Sequence, residues 1–308
     1  MNKMIYVSLC IPTNGISEWV FPVLDCIYKQ EVDTSLFEVV VTDNGDNSEF
    51  KARMREYAAG YDNLIYEETK AFLFENQIEA LRLAHGEYLK FLNHRSLMEE
   101  GALEWMIDLI KEYQDEKPVM YLSDGALGQK KRVEYGSFDS FVASMRRYAS
   151  WTTGVGVWRT DFEKIPKDWV YNRISPHSDV LFFERKRSKY VIDDRKWCHD
   201  IDSSHANKGK YDLYKAFAVE EISITLGLYI SGDISSKTLK SIIKDYKRFV
   251  AECYRQFNIF HEPCSYKIDG FNDAMGVFMR KGEVLFSAYC GIPKDIARKI
   301  YHRICKKA

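Results

Sequence analysis

Three polar segments each stand directly after an apolar run: Pro12-Thr13-Asn14-Gly15, Thr42-Asp43-Asn44-Gly45-Asp46 and Asn93-His94-Arg95-Ser96. Between them they hold carboxylates, amides, hydroxyls, an imidazole and a guanidinium. Brought together, such groups suit an oxygen-rich ligand carrying a base, a sugar and phosphates, because a guanidinium forks to two phosphate oxygens and amides and carboxylates read polar edges. Taken singly, each segment reads equally well as a turn, since Asn, Asp and Gly populate turns anyway. Further on, Ser175-Pro176-His177-Ser178-Asp179 places a carboxylate just before the apolar run Val180-Leu181-Phe182-Phe183. An Asp there can cap a helix or accept a proton. Trp151 and Trp158 flank a glycine-containing turn, where they form either a platform for a sugar ring or part of the core. Arg195, His199, His205, Lys208 and Lys210 make a cationic, glycine-punctuated stretch without clear periodicity.

These segments need strands to present them. Residues 6–11 read as a buried strand, and Ser17 as the N-cap of a helix with an apolar stripe at Trp19, Val20, Val23, Leu24, Ile27 and Tyr28. Residues 37–42 are nearly continuously apolar, as parallel strands covered on both faces tend to be. A short helix (Phe50, Met54, Tyr57), a strand near residues 64–66, a helix carrying Ile78 and Leu81, and a strand at 88–92 continue the alternation. The expectation is an α/β fold with a mostly parallel sheet. Ligands of such sheets collect at the carboxyl ends of the strands, near the switch in strand order. After Leu92 the pattern loosens, with a helix at Ala102 to Ile110 and strands at 119–122 and 154–158. From about Tyr211 the text becomes helical, with stripes over Ile242 to Tyr254 and Ile292 to Ile304. The chain thus divides into a nucleotide-sugar and acceptor domain, residues 1–210, and a helical C-terminal region, residues 211–308.

In order and spacing, Ile11-Pro12-Thr13-Asn14-Gly15, Val39-Val40-Val41-Thr42-Asp43-Asn44-Gly45-Asp46 and the run from Asn76 through Ala84-His85-Gly86-Glu87-Tyr88 to Asn93 resemble the family 2 glycosyltransferases of the GT-A fold, over residues 5–110. The resemblance implies inverting transfer of a hexosyl or related group from a nucleotide-sugar donor to a hydroxyl of a glycan or lipid-linked acceptor. It implies that Thr13 and Asp43 contact the nucleotide base and that Asn76 lies near the ribose or diphosphate. It further implies an acidic base at a helix start, matched by Asp179 with His177 in reserve; beside the turn at 152–154, Trp151 and His177 are the residues expected at the acceptor. A loop closing on the diphosphate is matched by His205 and Lys208.

The family usually follows the strand at 88–92 with Asp-x-Asp, which holds a divalent cation against the diphosphate. Here the text is Asn93-His94-Arg95. An amide and a cation replace two carboxylates, which removes the hard oxygen ligands that Mg²⁺ or Mn²⁺ takes. Arg95 is always charged and can fork to phosphate oxygens directly. The expectation is therefore no cofactor, no metal ligand and transfer that tolerates chelation, with Mg²⁺ or Mn²⁺ as the alternative. The competing class is a catalytically degenerate GT-A fold kept as a binding or scaffold protein.

Bulk properties narrow the rest. Forty-four Lys+Arg against 45 Asp+Glu leave a net charge of -1, which excludes a dominant basic surface for nucleic acid. Seven scattered cysteines without a C-x-x-C pair read as reduced thiols of a cytoplasmic protein. No phosphate-loop, dinucleotide, zincin or nucleophile-elbow motif occurs. The run at 4–11 is too short to span a bilayer. The basic end, Arg298 through Lys307, would let the chain touch the inner membrane face peripherally.

Overall fold

The computed structural model describes residues 4–129, 131–202 and 211–305, with side chains as far as residue 297. His205 and Lys208 lie outside the described residues. The chain forms two compact units, residues 1–201 and 202–308.

The first unit is built on a five-stranded sheet of order β3-β2-β1-β4-β8, with β1 Val7–Thr13, β2 Phe37–Asp43, β3 Leu64–Glu68, β4 Tyr88–Phe91 and β8 Gly156–Trp158. The first four strands are parallel and β8 is antiparallel to β4. The connecting helices are α1 Ser17–Tyr28, α2 Ser48–Ala58, α3 Asn76–Leu83 and α4 Ala102–Glu112. Strand periodicity assigns the two faces. Val7, Leu9 and Ile11 of β1 and Phe37, Val39 and Val41 of β2 join one core with Leu24, Phe50, Met54 and Met106. The alternate residue Cys10 turns the other way, its thiol directed at the Ala80 carbonyl of α3, 3.7 Å off. Both faces are covered, which is why β1 and β2 read as continuous apolar text.

The chain runs outward from β1 through β2 to β3, then returns to lay β4 on the other side of β1. The switch in strand order therefore falls between β1 and β4, where Thr13 ends one strand and Asn93-His94-Arg95 follows the other. The loosely patterned middle supplies β5 Ser96–Met98, paired antiparallel with β10 Cys198–Asp200, and a small sheet of β6 Val119–Leu122, β9 Tyr190–Asp193 and β7 Arg132–Tyr135. It also supplies α5 Phe138–Met145, α6 Arg159–Phe162 and α7 Pro176–Leu181.

Three local expectations are corrected. Helix α1 starts at Ser17 itself, with Ile16 as its N-cap and no side-chain cap. The apolar run after Asp179 does not continue as helix, because α7 ends at Leu181 and Phe182 is its C-cap. Trp158 is a core residue, 1% exposed, with its indole N–H donating to the Pro118 carbonyl at 2.7 Å.

The second unit is helical: α8 Leu213–Lys215, α9 Glu221–Ile230, α10 Ser236–Cys253, α11 Phe271–Ala274 and α12 Lys281–Cys305. Wide π-type turns join α8 to α9 and extend α10. A buried ion pair, Arg255 to Asp295, ties the extension of α10 to α12. Among the described residues, no helix is long and apolar enough to cross a membrane.

Candidate functional site

The site begins where β1 and β2 end. Register sets Thr13 beside Asp43, and the Asn44 N–H donates to the Thr13 carbonyl at 3.1 Å. Gly45 passes so close to this turn that a Cβ on it would lie 2.1 Å from the Asn14 carbonyl oxygen, a position only glycine fills. Asp43 is fully buried. One of its oxygens accepts from the Gly45 N–H at 2.8 Å and the other from the Tyr66 hydroxyl at 3.3 Å. Burial outweighs these bonds and raises its pKa above the ordinary carboxylate value. Each oxygen keeps a lone pair for a further donor.

Asn76 opens α3 beneath these strand ends, 2% exposed. Its amide donates to the Thr13 carbonyl at 3.1 Å and the Thr42 carbonyl at 2.8 Å, and its oxygen accepts from the Thr69 hydroxyl at 2.7 Å. Both amide hydrogens are spent on the scaffold, so Asn76 clamps the strand ends and offers no N–H to a ribose or diphosphate. Replacing Asn76 by Ala removes its bonds to the Thr42 carbonyl and the Thr69 hydroxyl and one of the two donors to the Thr13 carbonyl, an expected loss of about 3 kcal/mol at roughly 1 kcal/mol per bond. Urea unfolding of the variant measures it.

Across the switch, the three residues after Leu92 diverge. Asn93 is half-buried, and its carbonyl closes a turn with the Ser96 N–H at 2.9 Å. The ring of His94 points back to β1. Its Nδ1 lies 2.8 Å from the Thr13 hydroxyl, and it meets Trp19 edge-on at 5.0 Å. Burial and the neighbouring Arg95 charge push its pKa down to about 3, so the ring is neutral. Thr13 also accepts from the Gly15 N–H, and is itself 3% exposed.

Arg95 is held by a carboxylate. Its Nε and Nη2 donate to Asp200 Oδ2 at 3.2 and 3.0 Å, and Ser96 donates to the other Asp200 oxygen at 2.5 Å. The β5–β10 pairing creates this contact by setting Ser96 opposite Asp200. Of the five guanidinium N–H groups, two are used and three stay open.

These donors do not fit a hard divalent cation. An amide and a guanidinium stand where carboxylates would be needed, His94 is committed to Thr13, and Asp200 is committed to Arg95 and Ser96. Among the described residues, no group of three or more His, Cys, Asp and Glu side chains is placed to hold a metal.

Residue 77 carries the network onward. The His177 Nε2–H donates to the Ser150 carbonyl at 2.8 Å, while Nδ1 lies 3.1 Å from the Gln77 amide and 3.4 Å from the Thr152 hydroxyl. With both nitrogens engaged, 4% exposure and a pKa lowered to about 4 by burial, His177 is a neutral strut and no longer a reserve base. It fixes α7, on which Asp179 is half-buried and accepts from the Asn172 N–H. That bond reaches upstream of the helix and is not a cap. Burial raises the Asp179 pKa, Arg185 opposing, which moves this carboxylate toward the range useful to a proton acceptor. Trp151 is half-buried, its ring 6.3 Å from Tyr148.

Two further residues shape the site. Asp200 lay within an unpatterned stretch and becomes visible only through the β5–β10 pairing. Lys90 lies in the middle of β4, and a lysine inside an otherwise apolar parallel strand is itself a signal. It is fully buried, and its ammonium donates to the carbonyls of Phe91, Thr153 and Val155, with the Trp197 ring 4.9 Å away. It thereby pins the turn after Trp151 to β4.

Desolvation lowers the Lys90 pKa from 10.5 to about 7. Between those values the unfolded chain holds the extra proton, so this group makes stability rise with pH from about 7 to 10.5, by on the order of 4 kcal/mol. In urea titrations at pH 7 and pH 9, wild type minus Lys90→Met is expected to become more favourable at the higher pH. A difference independent of pH contradicts it.

No protein-family model matches the chain, and no curated protein matches it in sequence. Solved structures do. S. aureus TarS residues 1–349 in complex with UDP-GlcNAc superposes with a TM-score of 0.61 at 14% identity, over 89% of this chain and 80% of that one. The same TarS segment with UDP gives 0.56 at 14% identity, over 89% and 76%. A longer TarS structure gives 0.53 at 15% identity, over 83% of this chain and 44% of that one. With its parallel sheet, its switch between β1 and β4 and its helical C-terminal unit, the chain has the GT-A fold.

Proposed function

We propose that this protein is an inverting, family 2-like glycosyltransferase that moves a hexosyl or related group from a nucleotide donor to a hydroxyl of a glycan or lipid-linked acceptor, in polysaccharide assembly. The observation that carries the reading is the gathering of Asp43, Thr13 and Arg95 around the strand-order switch, where open α/β sheets bind ligands. The TarS crystals with UDP and UDP-GlcNAc support a nucleotide-sugar as the class to test.

Each group has a task in this reading. Asp43 accepts from a base edge that offers an N–H, while the turn from Thr13 to Gly15, held by Asn76 and His94, shapes the base seat. Arg95, oriented through its Nε edge by Asp200, turns its open N–H groups to the diphosphate. Asp179 takes the proton of the acceptor hydroxyl as that oxygen bonds to the anomeric carbon, and the bond from that carbon to the diphosphate breaks with its electron pair leaving on phosphate oxygen. Trp151 offers a ring face to the acceptor sugar. No step passes through a metal ion.

Thermal shift with UDP, GDP, CDP, dTDP and CMP derivatives tests the reading. A ligand at a hundredfold its Kd stabilises by about 2.7 kcal/mol, a clear rise in melting temperature. No shift from any nucleotide favours the second reading, a binding or scaffold protein. The Arg95–Asp200 pair favours that reading too, since it part-neutralises the cation on which transfer depends.

A further inference from the structure

The helical unit carries a feature that sugar transfer leaves unused. Between α10 and α12 lies an open groove of about 1070 Å³. Five cations line it, Lys240, Lys244, Lys247 and Arg248 from α10 and Arg280 ahead of α12, against one carboxylate, Glu283. Lys247 pairs with Glu283 at 2.8 Å, and Arg280 adds its field to the same acid. Lys240, Lys244 and Arg248 have no carboxylate partner among the described residues.

Apolar side chains complete the surface. Ile243 and Met279 lie in the groove, and Phe286 on its rim is 71% exposed. Tyr289 at 56% and Ile296 at 46% follow along α12, three and ten residues after Phe286. Those spacings put all three on one helix face. Phe286 stands at the rim beside the unpaired ammonium groups, and Tyr289 and Ile296 carry the exposed apolar row from it around the surface of α12. A soluble polyanion would use the charges and leave the apolar row wet. An anionic bilayer uses both: phosphates meet the cations while the row enters the boundary between headgroups and acyl chains.

We infer that the α10–α12 face docks this protein on an anionic lipid surface, with Phe286, Tyr289 and Ile296 inserted and Lys240, Lys244 and Arg248 on the headgroup phosphates. The inference rests on the helical unit alone and does not depend on the transferase reading.

Co-sedimentation with vesicles tests it. The full chain is expected to bind vesicles of phosphatidylcholine with about a third phosphatidylglycerol at least tenfold more tightly than phosphatidylcholine alone, and to lose most of that preference in about 1 M salt, where the Debye length falls to ~3 Å. Lys240→Gln with Lys244→Gln should weaken binding to anionic vesicles by about 25-fold, roughly fivefold per charge. Phe286→Ser should weaken it by about tenfold without changing retention on inorganic polyphosphate, since it removes apolar insertion only. All these positions are exposed, and an unchanged melting temperature verifies folding. Equal binding to both vesicle types overturns the inference. So does tight polyphosphate binding without vesicle binding, which assigns the groove to a soluble polyanion. Concentration-dependent dimerisation abolished by Phe286→Ser, again without vesicle binding, assigns the face to a second copy of the chain.

Discussion

Asp179→Asn is expected to lower kcat by about a thousandfold while leaving nucleotide binding intact, the middle of the range for removing a positioned general base. Asparagine keeps an oxygen for the Asn172 N–H, so the loop from 172 to α7 holds its shape. What is lost is the lone pair that receives the acceptor proton. Burial raises the pKa of this carboxylate. The base works deprotonated, so the acid limb of kcat/KM should lie above the ordinary aspartate value and vanish in the variant. Turnover against pH, with a nucleotide thermal shift as the binding control, checks both parts. Wild-type turnover in Asp179→Asn would remove the base from the account and support the scaffold reading.

Arg95→Ala is expected to cost a further two to three orders of magnitude in kcat, the scale of removing one charged donor from a developing anion. Unlike the Asp179 change, it should also weaken binding of a nucleoside diphosphate while sparing the nucleoside. Arg95→Lys should restore only part, because an ammonium lacks the planar fork that Asp200 orients. Asp200→Asn probes that orientation. It keeps an acceptor for Nε and Nη2 but drops the competing charge. If Asp200 only orients, diphosphate binding tightens or holds; if it is essential for placing the fork, binding falls to the level of Arg95→Ala.

Much of the first hundred residues was readable. β1 and β2 are buried on both faces, so their apolar runs announce parallel strands, and Asp43-Asn44-Gly45 marks the end of β2 by turn chemistry alone. Gly86 lies in the run that leads into β4, and the structure supplies the reason for a glycine there: a Cβ would lie 2.6 Å from the Ser8 hydroxyl oxygen.

What the text hid was mostly long-range pairing. β10 is three residues long and two of them are exposed, so neither length nor periodicity betrays it. Without it Asp200 has no visible relation to Arg95, 105 residues earlier. The partners of Asn76 and His177 were hidden for the same reason. Their polar atoms bond to carbonyls of distant turns, and a sequence distinguishes poorly between a polar side chain that faces a ligand and one that holds the scaffold around it. The apolar run at 180–183 misled in the opposite direction. Four apolar residues suggest helix, yet Phe182 and Phe183 are used for packing, Phe182 against Phe138 and Phe183 against Trp169.

The account stands or falls on whether a guanidinium, without a divalent ion, neutralises the departing diphosphate. Sugar transfer measured in excess EDTA, for wild type and Arg95→Ala side by side, tests this most directly. Chelator is expected to leave wild-type turnover unchanged, and the variant to stay two to three orders of magnitude slower with or without added Mn²⁺. Abolition of wild-type turnover by EDTA, with activity retained by Arg95→Ala in Mn²⁺, would contradict the account.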